Sequence, residues 1–475
     1  MPKSYDAIVI GSGPNGLAGA LVLAQAGLSV LVLERNEEIG GGARSAELTL
    51  PGFLHDLCSA IHPLAAGSPF FEGLPLSNYD LEWIHPPLPL AHPLDGGSAV
   101  SLHRSIRATA AGLGADGPRY TRLIEPLAGR WSRLRSGILA PPRLPEHPLM
   151  MARFALLGLR SAEALARGRF HSAPARALFA GLAAHSALPL ARPPSAAVGL
   201  VLGTLAHAAG WPFPRGGAGR IAAALSGLLK SLGGEIATRS PVRSIDDLPP
   251  ARIVLADVSP RELLQIAGHR FPPAFRRQLE RYRYGPGAYK LDYALDGPIP
   301  WSAPACALAG TVHLGGHFEE ILESEAAVWQ GRVAPRPFVL LAQPSLFDPT
   351  RAPAGKHTAW AYCHVPNGST ADAASAIEAQ IERFAPGFGA RVLSRAVTPP
   401  AGIERHSSNF VGGDVNCGLQ DIRQLFARPT ARLYATPVPG LFLCSSATPP
   451  GGGVHGMCGY HAAYISLKKT RLKGG

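Results

Sequence analysis

Apolar residues in this chain come in short runs broken by glycine and proline, and the order of the runs carries the first information. Ala7-Ile8-Val9-Ile10 is apolar at every position, the pattern of a strand covered on both faces. Gly11-Ser12-Gly13-Pro14-Asn15-Gly16 follows, and then an apolar stretch over 17–26 of helical length. A second run, Ser29-Val30-Leu31-Val32-Leu33, ends on Glu34 and Arg35, with Glu34 18 residues after Gly16. Strand, glycine turn, helix and a second strand closed by an acid form the pattern of a dinucleotide-binding βαβ unit. Gly11 permits the tight turn, Gly13 lets backbone approach a pyrophosphate, and Gly16 lets helix and strand pack closely. Pro14 and Asn15 lie where the helix opens, so its free N–H groups and positive dipole end face the phosphates. Glu34 is the expected acceptor for an adenosine ribose.

The same strand-loop-helix order returns near the other end. Gly440-Leu441-Phe442-Leu443-Cys444 reads as a strand, Ser445 to Gly456 as a glycine-rich loop, and Met457 onward as a helix. Between the ends, Trp211 to Arg220 opens an amphipathic helix over 221–232, with strands expected at 234–237, 241–245 and 252–256, the last ending at Asp257. Ala288–Leu295, Phe338–Ala342 and Thr358–Cys363 read as strands of an antiparallel sheet. Met150 to Phe170 reads as one apolar helix with Arg153, Arg160 and Arg167 in a stripe at seven-residue spacing. Two readings of that stripe stand side by side: a solvated face, and a helix lying on a membrane surface.

With Arg35 to Ser45 included, the N-terminal segment resembles the glutathione-reductase-type FAD-binding fold, and within it the phytoene desaturase and amine oxidase group. That group places Gly-Gly six and seven residues after the ribose acid, as Gly40 and Gly41 stand here, with an arginine directly after them. This chain has Gly42 there, then Ala43, and Arg44 two residues later. The loop at 445–457 is similar to the C-terminal FAD motif of phytoene-desaturase-like oxidoreductases, whose strand ends in Gly-Asp or Gly-Glu. Ser445-Ser446 replaces that pair, which leaves the Ser446 hydroxyl as the ribityl anchor. The resemblance implies FAD as cofactor, with Val242 backbone at the adenine and Arg44 at a phosphate or the flavin. Val454, His455, Gly456 and Met457 are then expected at the pyrimidine edge, where helix N–H groups face the charge that gathers on reduction. It also implies an α/β fold: a Rossmann FAD-binding domain from residues 1–65, 206–271 and 401–475, and an α+β cap domain, with a mainly antiparallel sheet, from 66–205 and 272–400.

Two residues stand out as candidates for chemistry. By resemblance to amine oxidases, Lys290 would hold a water near flavin N5; read from its strand alone, it is a half-exposed surface lysine. His455 is the second candidate, beside the flavin edge. His455, Cys458 and His461 lack the second cluster a metal site needs, so no metal is expected, and Cys458 lacks a motif for covalent flavin attachment. The resemblance implies an FAD-dependent, phytoene dehydrogenase-like oxidoreductase moving a hydride between flavin N5 and an apolar substrate. That substrate would be a carotenoid, another polyene or a similar molecule undergoing desaturation, saturation or isomerisation. A flavin amine oxidase is the enzymatic alternative, with Tyr460 as candidate for its aromatic cage. A Rab-escort-like prenyl carrier is the non-enzymatic one, and the intact Gly11, Gly13, Gly16 and Glu34 speak against it.

Composition narrows the partners. At 475 residues, 46% hydrophobic and 16% charged, the chain is neither disordered nor fibrous and has length for two domains. Net charge is +12, and with seven lysines, 38 of the 45 basic residues are arginine. No zinc-finger, RNP or basic-region pattern accompanies them, so nucleic acid is not an expected partner. Six separated cysteines without Cys-x-x-Cys and the lack of a long apolar span point to the cytoplasm, with peripheral membrane contact as the open addition. An apolar small molecule is the expected ligand; spacing says nothing about oligomeric state.

Overall fold

Runs that are apolar at every position become strands covered on both faces, in two sheets of different kind. The computed structural model describes residues 4–470. Lys3, Lys473 and the outermost residues of the first and last expected domain segments lie outside them. In chain order the strands of the two main sheets are β1 (Ala7–Ile10), β2 (Val30–Leu33), β3 (Leu88–Leu94), β4 (Ser98–Leu102), β5 (Glu235–Ala237), β6 (Ile253–Ala256), β7 (Gly287–Leu295), β8 (Ala309–Leu314), β9 (Val339–Ala342), β10 (His357–Val365), β11 (Val392–Thr398) and β12 (Leu441–Leu443).

The first sheet is parallel throughout, in the order β12-β6-β1-β2-β5. Its strands come from residues 4–65, 206–271 and 401–470. Helix Pro14–Gln25 packs between helices Gly219–Ser231 and Met457–Thr470 on this sheet, burying Leu17 and Leu21 completely. The second sheet runs β11-β7-β10-β9-β8-β3-β4, antiparallel except where β8 and β3 lie parallel. Its strands come from residues 66–205 and 272–400. Trp83–Ile84 pairs with Phe213–Pro214 and ties the two regions together. This is the α/β Rossmann-type FAD-binding fold with a mixed, mainly antiparallel second sheet.

The second sheet decides where the chemistry sits. Tyr289, Leu291, Tyr293 and Leu295 face one way, into a core with Ile377, Ile381 and Phe384 of helix Ala374–Phe384. By the two-residue period of a strand, Ala288, Lys290 and Asp292 face the other way. All nine residues of β7 are buried, so Lys290 is not the half-exposed surface residue of the simpler reading.

Two local expectations fail for identifiable reasons. The stretch Met150–Phe170 is two helices, Pro148–Gly158 and Ala162–Arg169, because the Ser161 hydroxyl accepts from Ala164 N–H and starts a new helix. The three arginines therefore form no stripe. Arg160 lies in the break and donates to the Ala164 carbonyl, while Arg167 pairs with Glu163 at 3.0 Å and covers the Phe318 ring. Residues 241–245 form no strand: Pro241 has no N–H to give a ladder, and β5 has already ended at Ala237.

Candidate functional site

The phosphate loop is built by close approach. Gly11 N–H donates to the Leu33 carbonyl at 2.8 Å and has φ +96°, which favours glycine. A Cβ on Gly16 would stand 2.2 Å from the Gly11 carbonyl oxygen, and one on Gly13 would stand 2.7 Å from Asp257 Oδ2. Helix Pro14–Gln25 opens on Gly13 without a side-chain cap. Gly16 N–H donates to Asp257 Oδ2 at 2.9 Å, so the carboxyl that ends β6 lies under the loop. Burial, with the nearby Glu34 charge adding to it, pushes Asp257 up to about 7 against the pull of that hydrogen bond.

Glu34 is fixed at the end of β2. Its Oε2 accepts from Ser12 N–H and Oγ, and its Oε1 accepts from Asn36 N–H and Nδ2, all within 3.0 Å. A groove of about 130 Å3 runs along Gly11, Gly13, Pro14, Asn15, Glu34, Arg35, Gly41, Gly42, Val242, Asp257 and Ser446. Val242 reaches it from coil. Gly41 has φ +56°, and a Cβ there would lie 3.1 Å from Gly13 Cα. Gly40 stays outside the groove and donates to the Ser12 carbonyl at 3.1 Å. Arg44 is turned away as well: its guanidinium donates to the Gly41 and His406 carbonyls and lines neither the groove nor the cavity beyond it. It locks the glycine turn.

The groove opens into a cavity of about 690 Å3, and Pro14, Asn15, Gly42, Phe410 and Ser446 line both. At this junction Asn15 Nδ2 donates to Ser446 Oγ at 3.2 Å, while Asn15 Oδ1 is buried with no protein partner. Ala43, Cys58, Val454 and His455 continue the wall. The floor is the second sheet, where register places Lys290 opposite Tyr362, Tyr362 opposite Leu340, and Leu340 opposite His313. Trp360, Ala342 and Thr311 form the next row, with Asp292 behind Lys290. The charged side chains lining the cavity are Lys290, Arg143 and Arg428; among the described residues no Asp or Glu lines it.

Lys290 is 2% exposed, and its Nζ donates to Asp292 Oδ2 and lies 6.0 Å from the Trp360 ring centre. Asp292 Oδ1 lies 3.7 Å from His55 Nδ1, and His55 Nε2 is hydrogen-bonded with Thr49 Oγ1 at 2.8 Å. Beside His55, Asp56 pairs with the buried Arg351. Burial pushes Asp292 up to about 6, although the Lys290 charge and hydrogen bond pull it down. Burial drives His55 down to about 3, and the charges of Lys290 and Arg351 add to the effect. Lys290 is thus a buried cation held by a carboxylate on its own strand face.

The C-terminal loop differs from expectation at three places. Nδ1 of His455 accepts from Met457 N–H at 3.0 Å and its Nε2 donates to the Gly451 carbonyl at 3.2 Å, so both ring nitrogens are occupied by the loop. Burial lowers this imidazole to about 4, leaving it neutral at pH 7. The Met457 N–H is consumed by that bond, and Gly456 packs on Phe70, so neither lines the cavity. Cys458 Sγ donates to the Thr448 carbonyl, and burial pushes the thiol up to about 12. Tyr460 packs at a tilt against Tyr464, ring centres 4.6 Å apart, outside the cavity, whose aromatic lining comes from Phe154, Trp211, Trp360, Tyr362, Phe410 and Phe426. Among the described residues no group of three His, Cys, Asp or Glu side chains is placed to hold a metal.

Asp257, Asp292 and His55 escape a reading by motif. Asp292 alone had a local signal, its two-residue spacing from Lys290. Asp257 meets the phosphate loop only through the β1–β6 register.

Comparison with known proteins agrees with this geometry. Residues 9–71 match the family described as NAD(P)-binding Rossmann-like domain. Over 99% of this chain and 94% of the relative, the sequence is 26% identical to the mouse protein named pyridine nucleotide-disulfide oxidoreductase domain-containing protein 2. Putrescine oxidase bound to putrescine superposes with TM-score 0.62 at 16% identity, covering 98% of each chain. A fatty acid isomerase from P. acnes that produces CLA superposes with TM-score 0.58 at 14% identity, covering 98% of this chain and 99% of that one. At such identities the structural likeness is one of fold alone.

Proposed function

We propose that the protein is an FAD-dependent oxidoreductase, phytoene dehydrogenase-like, that moves a hydride between flavin N5 and an apolar, polyene-like or similar unsaturated substrate. The observation that carries this reading is the union of a dinucleotide groove with an apolar cavity at Asn15, Gly42 and Ser446. The residues fit FAD. The loop can pack this tightly against Asp257 and itself only because Gly11, Gly13 and Gly16 lack Cβ atoms, and Asn15, which lines both groove and cavity, has a buried Oδ1 with no protein donor. Glu34 and Val242 would hold the adenosine end, Gly11 to Gly16 and Gly41 the pyrophosphate, and Ser446 with Asn15 the ribityl chain.

Bound there, FAD supplies the hydride chemistry. The chain's part is to position, dry and polarise. Apolar walls exclude water and hold a substrate by burial alone. Lys290 keeps N–H donors beyond the one given to Asp292, which suits it to hold a water or steady negative charge at the cavity floor. Asp292 holds the ammonium in place, and His455 shapes the loop that closes the wall. The lack of a lining carboxylate supports an apolar substrate over a cationic amine. Anaerobic mixing of the flavin-loaded protein with a carotenoid extract, apolar alkenes and a panel of amines tests this. Bleaching by an unsaturated apolar compound is expected; bleaching by amines alone would replace the reading with an amine oxidase.

A further inference from the structure

Helix Pro148–Gly158 is apolar on two sides, and only one side has a partner. Met151, Phe154, Ala155 and Gly158 line the cavity. Leu149 and Leu156, seven residues apart and hence on one face, stand in solvent at 87% and 77% exposure. Leu144, in the loop before the helix, is 94% exposed. Helix Ile422–Phe426 lines the same cavity through Leu425 and Phe426, which are themselves 45% and 62% exposed. The cavity therefore reaches the surface where exposed apolar side chains of both helices lie in or next to its lining. A single exposed leucine needs no explanation, but a cluster around the mouth of an apolar cavity marks a surface that is covered in use.

The charge at this rim says by what. Arg143, Arg153 and Arg423 are exposed beside these side chains. The acids among them are few: Glu146 pairs with Arg143 at 2.9 Å, and Asp421 pairs with Arg283 at 2.6 Å. Apolar side chains interleaved with arginine, on a chain of net charge +12, match an anionic lipid surface better than a protein surface. We propose that the mouth of the cavity seats on an anionic bilayer. Leu144, Leu149, Leu156 and Phe426 enter the acyl boundary, and Arg143, Arg153 and Arg423 meet the headgroup phosphates. An apolar substrate then passes between membrane and cavity without crossing water. This surface stands on exposure and charge alone and does not depend on the reaction proposed above.

The test is co-sedimentation of the full-length, flavin-loaded protein with vesicles of phosphatidylcholine, with and without phosphatidylglycerol. Binding is expected to the anionic vesicles and to weaken with salt. Partitioning falls by about tenfold or more in the Leu149→Glu/Leu156→Glu double variant and by about fivefold in Arg153→Gln. Leu308→Glu, at an exposed leucine away from the mouth, leaves it unchanged. These side chains are exposed, so the variants fold, and an unchanged flavin spectrum verifies it. Absence of binding to anionic vesicles, or equal binding by all variants, overturns the proposal. So does size-exclusion chromatography showing a dimer that the double variant breaks, because a second copy then covers the patch. In each of these results the flavin spectrum and its bleaching stay separately readable, so the two readings fail independently.

Discussion

Replacing Lys290 with methionine keeps much of the side-chain length and removes the ammonium that donates to Asp292, a carboxylate at 0% exposure. Even with Lys290 present, burial holds Asp292 at about 6 against an ordinary 3.8, a preference for the protonated form worth about 3 kcal/mol. The sign follows from which state holds the proton longer. The unfolded chain releases it near 4 and the folded chain near 6, so Asp292 costs stability progressively as pH rises across that window. Without Lys290 its charge and hydrogen bond no longer pull the carboxyl down, only the Arg351 charge still does, and the window extends to higher pH. Breaking a buried pair by removing one partner costs about 3–5 kcal/mol. Lys290→Met should therefore lose about that much at pH 8, and less at pH 5.5, where the folded state keeps the carboxyl protonated. Lys290→Met/Asp292→Asn should recover most of the loss at pH 8. Urea unfolding of the three proteins at the two pH values reads this directly. A single variant as stable as the parent at pH 8, or a double variant no better than the single, would refute the buried-pair account.

Three other outcomes follow from named contacts. Gly16→Ala forces a methyl 2.2 Å from the Gly11 carbonyl; shifting the turn costs about 1–3 kcal/mol, so FAD affinity should drop tenfold to a hundredfold in a fluorescence titration. Asp257 behaves as Asp292 does, with folded-state release near 7. The parent should lose stability from pH 4 to 7 and FAD affinity above 7, as a charge appears beside the phosphates, whereas Asp257→Asn should flatten both profiles. Ala342→Trp fills the cavity floor and should lower kcat/KM for bulky substrates while leaving the flavin spectrum intact; unchanged kcat/KM across substrate sizes would count against this cavity as the substrate site.

Local chemistry was legible in the sequence, and long-range packing was not. Gly11, Gly13, Gly16 and Glu34 could be assigned to one βαβ unit because strand, turn, helix and acid are consecutive, and the structure places all four at one groove or its loop. Lys290 could be singled out, but its burial depends on β10 and β11 lying on either side of β7, which no window of sequence contains. The two ring hydrogen bonds of His455, to Met457 N–H and the Gly451 carbonyl, depend on how its own loop folds back, which spacing does not state. The direction of Arg44 was hidden because one of its two carbonyl partners, His406, is 362 residues away. The arginine stripe failed on a single hydroxyl, that of Ser161, which restarts the helix.

The measurement that bears most directly on the central claim is the absorption spectrum of the purified protein during titration with FAD. One flavin bound per chain, released on denaturation and bound tenfold to a hundredfold more weakly by Gly16→Ala, is the expected result. A protein that stays colourless at saturating FAD would contradict the assignment of the groove and cavity to flavin-dependent hydride transfer, and with it the proposed function.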